Sequence, residues 1–242
     1  MRESIYSTVD YRVLGDDMQL VEINLSPEES VRGEPGSMIY MKADIRMRTG
    51  TGGGFMQGLK RMISGEDFFI TSFVNEGTEQ ARVAFAAPYP GKVIPVDLSE
   101  FGGEILCQRD AFLCAAPGVE IEVAYTERFG AGFFGGEGLV LQRLVGRKRA
   151  FLHAGGTVVE RSLQAGEQLH VDAGCIAAFG PEVSYDIEPV GGIRNSLFGG
   201  EGVFLATLEG PGTAYLQSLP FARLADRITQ SGASPAGQNA RS

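Results

Sequence analysis

Apolar and polar residues alternate with a period of two along most of this chain, which is the pattern of half-buried β-strands. Clusters of Gly, Pro, Asp and Asn separate the alternating segments, as expected for tight turns. The pattern therefore predicts an all-β protein built from many short strands. The predicted strands are 13–25, 37–47, 68–74, 81–87, 105–115, 119–125, 139–145, 169–179, 183–187 and 203–208.

Two segments instead have apolar residues at helical spacing. The first, FMQGLKRMI at 55–63, lies within a glycine-rich stretch at 49–64, and the second is FARLADRI at 221–228. Each presents one apolar face, so each is predicted to form a short amphipathic helix. The final residues, 230–242, are small and polar and are predicted to be a disordered tail.

Internal repetition is the most informative feature of the sequence. The segment GFFGGEGLVLQRLVG at 132–146 resembles SLFGGEGVFLATLEG, which begins 64 positions later at 196–210. A weaker third copy contains Gly65 and Glu66 followed by an apolar run, at the place of Gly136 and Glu137. The same β unit is therefore predicted three times.

The predicted units span 1–97, 98–160 and 161–229, and the segment 49–64 is an insertion in the first unit. Units of this length are too long for the coils of a solenoid. Three small β-sandwiches or barrels in a pseudo-threefold arrangement fit better. Each would be marginal alone, so packing between the units is expected to supply much of the stability.

Composition supports this architecture and narrows the function. The 34 glycines have no triplet period, which excludes collagen and favours many tight turns. A net charge of −9 argues against nucleic acid as a partner, because phosphate binding depends on basic groups.

Three cysteines are too few for a disulfide framework, and neither a signal peptide nor a transmembrane segment is recognisable. We therefore predict a cytoplasmic protein without an integral membrane segment.

Six motifs, spread over most of the chain, resemble the altered inheritance of mitochondria protein 24 family, in its bacterial branch. They are EPGSMIYM (34–41), CQRDAFLCA (107–115), GAGFFGGEGLVLQRL (130–144), GCIAAF (174–179), LFGGEG (197–202) and YLQSLP (215–220).

The resemblance implies a fold similar to the tryptophan RNA-binding attenuation protein, present in triplicate. It implies no enzymatic activity and no catalytic residues. The link of the mitochondrial members to inner-membrane organisation suggests a scaffolding role.

The repeated FGGEG loops are the main candidate site. A phosphate-binding reading requires a helix after the loop, whereas here a strand pattern follows, so glycines in turns or bulges are the better interpretation. Large apolar residues in these loops either plug the ends of the β units or form an interface. The candidate interface residues are Phe133, Phe134, Gly135, Gly136, Glu137, Leu197, Phe198, Gly199, Gly200 and Glu201.

Metal sites have weaker support in the sequence. Glu66, Glu137 and Glu201 are equivalent under the repeat and could meet near one axis, although solvated or capping glutamates are commoner. A cupin-like centre would need several histidines, and only His153 and His170 exist. We therefore predict no metal and no cofactor.

These observations leave three functional hypotheses. The leading one is a non-enzymatic scaffold or assembly protein that forms a homo-oligomer and contacts protein partners. The second is a small-molecule binding module with a pocket between the β units. The third is a cupin-like metal-dependent enzyme.

Overall fold

The computed structural model describes residues 9–49, 70–127, 139–190 and 203–232, and regular structure there is almost entirely β. The strands are β1 Asp10–Leu14, β2 Leu20–Leu25, β3 Ser30–Gly33, β4 Met38–Met41, β5 Ile45–Thr49, β6 Thr71–Asn75, β7 Ala81–Phe85, β8 Gly91–Asp97, β9 Glu104–Gln108, β10 Phe112–Ala115, β11 Glu120–Glu127, β12 Leu139–Val145, β13 Arg149–Gly155, β14 Val158–Leu163, β15 Gln168–Asp172, β16 Ile176–Phe179, β17 Ser184–Val190, β18 Val203–Glu209 and β19 Gly212–Gln217. The all-β prediction is confirmed.

Of the 3₁₀ turns in the described residues, Leu98–Phe101 precedes β9, and three others each separate two strands; the second and third of these divide segments predicted as single strands. Turn 1 is Pro35–Ser37, turn 2 is Arg109–Ala111 and turn 3 is Ala173–Cys175. The predicted strands 105–115 and 169–179 are therefore each two strands joined by a turn. The prediction was wrong there because these turns contain no proline and, in turn 3, only a single glycine.

Other boundaries differ for similar reasons. The predicted strand 13–25 is the hairpin β1–β2, whose connection contains Gly15 with φ near +91°. The predicted strand 37–47 contains β4 and the start of β5, which belong to different sheets. Strands β3, β8, β13, β14 and β19 were not among the predicted strands.

The strands form four antiparallel sheets. Sheet A has the order β1-β2-β7-β4, and sheet B has β5-β6-β3-β10-β13-β8. Sheet C has the order β11-β12-β9-β16-β19-β14, and sheet D has β15-β18-β17. The strand order of sheet C repeats that of sheet B with every strand number raised by six.

Three apolar cores join these sheets in the order A, B, C, D. Strand β13 shows why sheet B is buried on both faces: Phe151 enters the core shared with sheet A, whereas Ala150 and Leu152 enter the core shared with sheet C. Successive side chains of a strand point to opposite faces, so β13 must be apolar on both. Residues at the centres of the three cores are Ile23, Phe73 and Phe85 between A and B; Ile94, Ile105 and Leu144 between B and C; and Ile176, Phe179 and Leu208 between C and D.

The connections that precede β2, β8 and β14 and the one that follows β19 also contact one another in series. Gln19 donates its backbone N–H to Gly91 at 3.0 Å, Gly156 donates to Pro90 at 3.1 Å, and Leu219 donates to Gly155 at 3.0 Å. These bonds lead from the segment before β2 to the segment that precedes the helix. The connections therefore form a continuous backbone contact along the stack.

Helix α1, Phe221–Gly232, confirms the predicted helix at 221–228 and extends it. Its first residue packs against Tyr89, with ring centroids 5.3 Å apart. Arg223 reaches back to the Asp172 carboxylate at 2.5 Å. Residues 230–232, the first three of the predicted disordered tail, belong to α1, and 233–242 lie outside the described residues. The predicted helix at 55–63 also lies outside them.

The repeat prediction has two counterparts in the topology. Sheets B and C share one strand order, and each of turns 1, 2 and 3 is followed by a strand with a register shift, at Met38/Tyr40, Phe112/Cys114 and Ile176/Ala178. The superposition of 1–97, 98–160 and 161–229 as three equivalent units, and their pseudo-threefold arrangement, stay predictions.

We predict that Gly155→Ala destabilises the fold by about 1–3 kcal/mol, the usual cost of overpacking a core. A Cβ at this position would lie 1.9 Å from the backbone oxygen of Leu219, which a side-chain rotation cannot relieve. Urea denaturation measures the loss. Gly36→Ala is the matched control, because its Cβ would come no closer than 3.6 Å to another group; equal stability of the two variants would contradict the prediction.

Candidate functional site at the open sheet ends

The 3₁₀ turns define two kinds of strand that together build the junctions of the stack. We call β3, β9 and β15 the pre-turn strands, and β4, β10 and β16 the post-turn strands. Pre-turn β3 pairs with post-turn β10, and pre-turn β9 pairs with post-turn β16. Each pairing joins two half-sheets into one six-stranded sheet, B or C.

Both junctions use the same register. Gly33 lies opposite Cys114 in the first junction, and Cys107 lies opposite Ala178 in the second. In each pair the first residue stands two positions before its turn, and the second stands three positions after the next turn. The register is therefore set by distance from the turns.

Hydrogen bonds from the turns reinforce the first junction. The Leu113 carbonyl accepts from the backbone N–H of Glu34 and from the hydroxyl of Ser37, each at 3.2 Å. Arg32 donates to the Val119 carbonyl at 2.8 Å. Because these bonds tie turn 1 to the strand after turn 2, they hold the two half-sheets together.

Two glutamine side chains hydrogen-bond turn 3 to the second junction. Gln108 donates to the carbonyls of Ala173 and Gly174 in turn 3, both at 3.3 Å. Gln217 donates to Gly174 at 3.1 Å and to the Gln108 side chain at 3.2 Å. The buried carbonyls of the turn thereby accept hydrogen bonds, and without a donor each of them would cost free energy.

One post-turn strand has no such partner among the described residues. Strand β4 is the edge of sheet A, whereas β10 and β16 lie inside their sheets. All four residues of β10 and of β16 are buried, but in β4 Ile39 is 55% exposed and Tyr40 is 43% exposed. The position of Ile39 corresponds to Leu113, which is 1% exposed.

The unmatched pre-turn strand is β15, the edge of sheet D. Its Gln168 and His170 are exposed, whereas the corresponding strand β9 has no exposed residue. Sheet D has the order of the first half of sheets B and C, and sheet A supplies the order of the second half plus β1. The chain therefore ends in two complementary half-sheets.

An ionic cluster stands beside β4 on the outer face of sheet A. Glu22 is 7% exposed and accepts hydrogen bonds from Arg12 and from the Tyr40 hydroxyl, the latter at 2.5 Å. Arg82 approaches the same carboxylate at 3.7 Å. The hydrogen bonds from Tyr40 and then Arg12 lower the pKa of Glu22. The hydrogen bond to Glu22 raises the pKa of Tyr40, so the cluster holds a carboxylate anion and a neutral phenol.

A second buried polar group, His153, lies where the connections stack. Its imidazole is 1% exposed, packs edge-on against Tyr89 at 4.6 Å and hydrogen-bonds to the Tyr89 backbone. Nδ1 finds no partner in the described part of the chain. Burial lowers the pKa of His153 to about 4, so the ring is neutral near pH 7 and has a structural role.

The remaining titratable candidates do not form a reactive centre with His153. His170 lies on β15 in sheet D and bonds to Thr207 at 3.0 Å, whereas His153 lies on β13 in sheet B. Cys107 and Cys114 are fully buried, and burial raises the pKa of both thiols. Within the described ranges no three His, Cys, Asp or Glu side chains are grouped as metal ligands.

The loop residues that the sequence singled out lie outside the described residues. They are Phe133, Phe134, Gly135, Gly136, Glu137, Leu197, Phe198, Gly199, Gly200 and Glu201, with Glu66 and the insertion beyond Thr49. The strand pairs that lead into these loops are described. Thr49 pairs with Thr71, Glu127 with Leu139 and Val190 with Val203, so each loop joins two paired strand ends.

Sequence reasoning missed the open ends. The alternation placed Ile39 and Tyr40 inside a longer strand and could not indicate which neighbour that strand lacks. A usable signal was present: MIYM occupies the place of FLCA and IAAF, and all three are apolar on both faces. Such runs are typical of strands that are covered on both sides.

No helix within the described ranges is long and apolar enough to cross a membrane.

Comparisons with known proteins agree with the sequence motifs. A family model described as Mitochondrial biogenesis AIM24 matches residues 11–219. An uncharacterized protein of Streptococcus pyogenes serotype M6, M6_Spy0233, is 29% identical over 217 residues, covering 86% of this chain and 85% of that protein. The crystal structure of protein SPYM3_0169 from Streptococcus pyogenes is 26% identical with a TM-score of 0.73, covering 92% of this chain and 99% of that one.

We predict that the stabilising effect of Glu22 is lost in acid. Its pKa is lowered in the folded state, so its contribution is complete above the ordinary carboxyl pKa of about 4.5 and disappears as the pH falls through the folded value. The difference in unfolding free energy between the wild type and Glu22→Gln, measured by urea denaturation, should therefore shrink on acidification. Tyr40→Phe should move this loss to higher pH. A difference that does not vary with pH would contradict the assignment.

We predict that the imidazole signal of His153 keeps its neutral-form NMR shift as the pH falls through the ordinary histidine value of about 6.5, and changes near 4. The unfolded chain takes up this proton at higher pH than the folded chain. The free energy of unfolding should therefore decrease as the pH is lowered from about 6.5 to about 4. The variant His170→Gln assigns the signals, because the chain has only two histidines. Titration of His153 near 6.5 would refute the buried neutral state.

Proposed function

We propose that this chain, which belongs to the Mitochondrial biogenesis AIM24 family, is a non-enzymatic scaffold or assembly protein that acts as a homo-oligomer through its β surfaces. The observation that carries the proposal is the contrast between β4 and its internal counterparts. Ile39 and Tyr40 are exposed at positions where β10 and β16 are buried.

An exposed edge with apolar side chains is unusual for a protein that works alone. Edge strands present free N–H and C=O groups that pair with other chains, and monomeric proteins blunt them with charges, prolines or bulges. Strand β4 carries neither a charge nor a proline, although it has a register shift against β7. Exposed apolar side chains beside such an edge favour a protein contact.

The chemistry of the described side chains also favours a scaffold. The buried thiols of Cys107 and Cys114 have raised pKa values and are poor nucleophiles. His153 is held neutral by burial, and Glu22 is held as a carboxylate among its donors. The protonation state of each of these four groups follows from its burial or its hydrogen bonds and requires no reactive role.

The glycine-rich loops remain a second surface for the same function. Phe133, Phe134 and Phe198 belong to segments that the sequence predicts to be loops and that lie outside the described residues, between strand ends that pair with each other. If these side chains are exposed, they would add apolar contact area to an assembly. The cytoplasmic location and protein partners predicted from the sequence belong to this proposal and stay predictions.

We predict that the protein has a mass of two or more chains in solution, where one chain is 25.9 kDa. Size-exclusion chromatography with multi-angle light scattering over the micromolar range measures this mass. Backbone pairing and apolar contacts resist screening, so the oligomer should persist at about 1 M salt. A mass of one chain at every concentration would overturn the proposed function.

A further inference from the structure

We infer that the copies of this chain join head to tail, with strand β15 of one copy pairing antiparallel with strand β4 of the next. The inference rests on the proposed function and names the surface by which the homo-oligomer forms. It is supported by the two junctions that are already present inside the chain. Each of them joins a pre-turn strand to a post-turn strand, and β15 and β4 are the pre-turn and post-turn strands left over.

The internal junctions fix the register of the contact. The residue two positions before turn 3 is Val171, and the residue three positions after turn 1 is Tyr40. Val171 therefore lies opposite Tyr40 of the next copy, and His170 lies opposite Met41. By analogy with the bond from Glu34 to the Leu113 carbonyl, the backbone N–H of Asp172 donates to the Ile39 carbonyl of that copy.

The sheet that results has the strand order of the two internal sheets. Strands β17, β18 and β15 come from one copy, and β4, β7 and β2 come from the next, with β1 added at the edge. Sheets B and C have this order and buried post-turn strands. The association would bury Ile39 and Tyr40 as Leu113 and Cys114 are buried inside the chain.

A second copy is required because one chain cannot close on itself through these layers. Sheets B and C lie between sheets A and D in the order of the cores. Within one chain β4 and β15 therefore belong to the two outermost layers. In the described part of the chain they are edges of separate sheets, whereas a closed arrangement would merge A and D into one.

The charges of the two ends agree with this contact. Strands β15, β17 and β18 contain four acidic residues and no lysine or arginine: Asp172, Asp186, Glu188 and Glu209. At the other end, Lys42 directly follows β4 and Arg82 lies on its neighbour β7, both about half exposed. Sheet A also carries Asp10 and Glu22, so its strands are balanced in charge, whereas those of sheet D are acidic. Like-charge repulsion therefore disfavours pairing of two β15 ends, and contact of β15 with β4 avoids it.

Because the two surfaces differ, the contact is heterologous, and it must generate either a closed ring or an open filament. A two-fold dimer that pairs β4 with β4 is the competing arrangement. Paired cysteines distinguish them. Residues opposite each other on antiparallel strands have Cα atoms about 4.5–5.5 Å apart, a distance that a disulfide can span.

The test is oxidation of the full-length variant Met41→Cys/His170→Cys in a Cys175→Ser background, followed by a non-reducing gel. Cys175 is replaced because it is the one cysteine that is not fully buried. We expect a ladder of covalent multimers. Each single-cysteine variant should stay uncrosslinked alone, and a mixture of the two should give dimers only.

A dimer from Met41→Cys alone would show two-fold β4 pairing and would overturn the inference. The absence of a ladder, with the oligomer still present by light scattering, would overturn it as well. In that case the proposed function survives through another surface such as the glycine-rich loops. A single-chain mass under all conditions would remove both proposals together.

A charge on the β4 edge gives an independent measurement. Ile39→Lys places an ammonium group where the contact buries an apolar side chain, so it should weaken association about tenfold or more. Met47→Lys is the matched control, because Met47 is 41% exposed on β5, the next strand along the chain, which belongs to sheet B and lies outside the proposed pair. Circular dichroism checks that both variants fold. Equal association of both variants with the wild type would contradict the inference.

Discussion

The constraint on which the structure depends is the need of every buried strand edge for a hydrogen-bonded partner. Unpaired backbone groups cost free energy in a core, so a half-sheet that enters the stack must be continued by another half-sheet. Here the continuation comes from the next segment of the same chain, through β3 with β10 and β9 with β16. The register is set by the 3₁₀ turns, whose backbone and neighbouring side chains bond across the junction. Each of turns 1, 2 and 3 links a strand of one sheet to a strand of another sheet, so its length constrains the position of both strands.

This way of building explains the unusual composition of the internal strands. A strand inside sheet B or C faces a core on both sides, so its side chains cannot alternate between apolar and polar. RAFLHAG in β13 and FLCA in β10 follow from this requirement, and the buried His153 in β13 is tolerated because it is neutral and bonded to Tyr89. The sheet ends are subject to the same requirement only if something covers them. MIYM in β4 has the internal composition without the internal burial.

The sequence predicted the parts of the fold that period and glycine spacing encode. The all-β class, helix α1 and strands such as β12 follow from local patterns. The hidden turns at Arg109–Ala111 and Ala173–Cys175 could not be found in this way, because each interrupts the alternation without a proline or a cluster of glycines. Strands buried on both faces lack alternation altogether, which is why β13 was missed. The open ends depend on which strand pairs with which, and no local pattern reports that. Glu22 was missed for a related reason: inside a predicted strand, a single glutamate looks solvated until its donors are known.

A comparison of side-chain volume between the end and the interior indicates that the end is built like a junction. In sheet B the central strand places Phe151 opposite the small Cys114 of the post-turn strand, and in sheet C Tyr215 lies opposite Ala178. In sheet A the sizes are exchanged, with Ala84 on the central strand and Tyr40 on β4. Each pair contains one aromatic and one small side chain, so the combined side-chain volume is similar in the three sheets. In sheet A the aromatic side chain stands on the edge strand instead of the central strand. A core tolerates such a volume-conserving exchange at low cost. With the aromatic residue on β4, the Tyr40 hydroxyl can donate its hydrogen bond to Glu22. A surface that only had to face solvent would need neither the matched volume nor the satisfied hydroxyl.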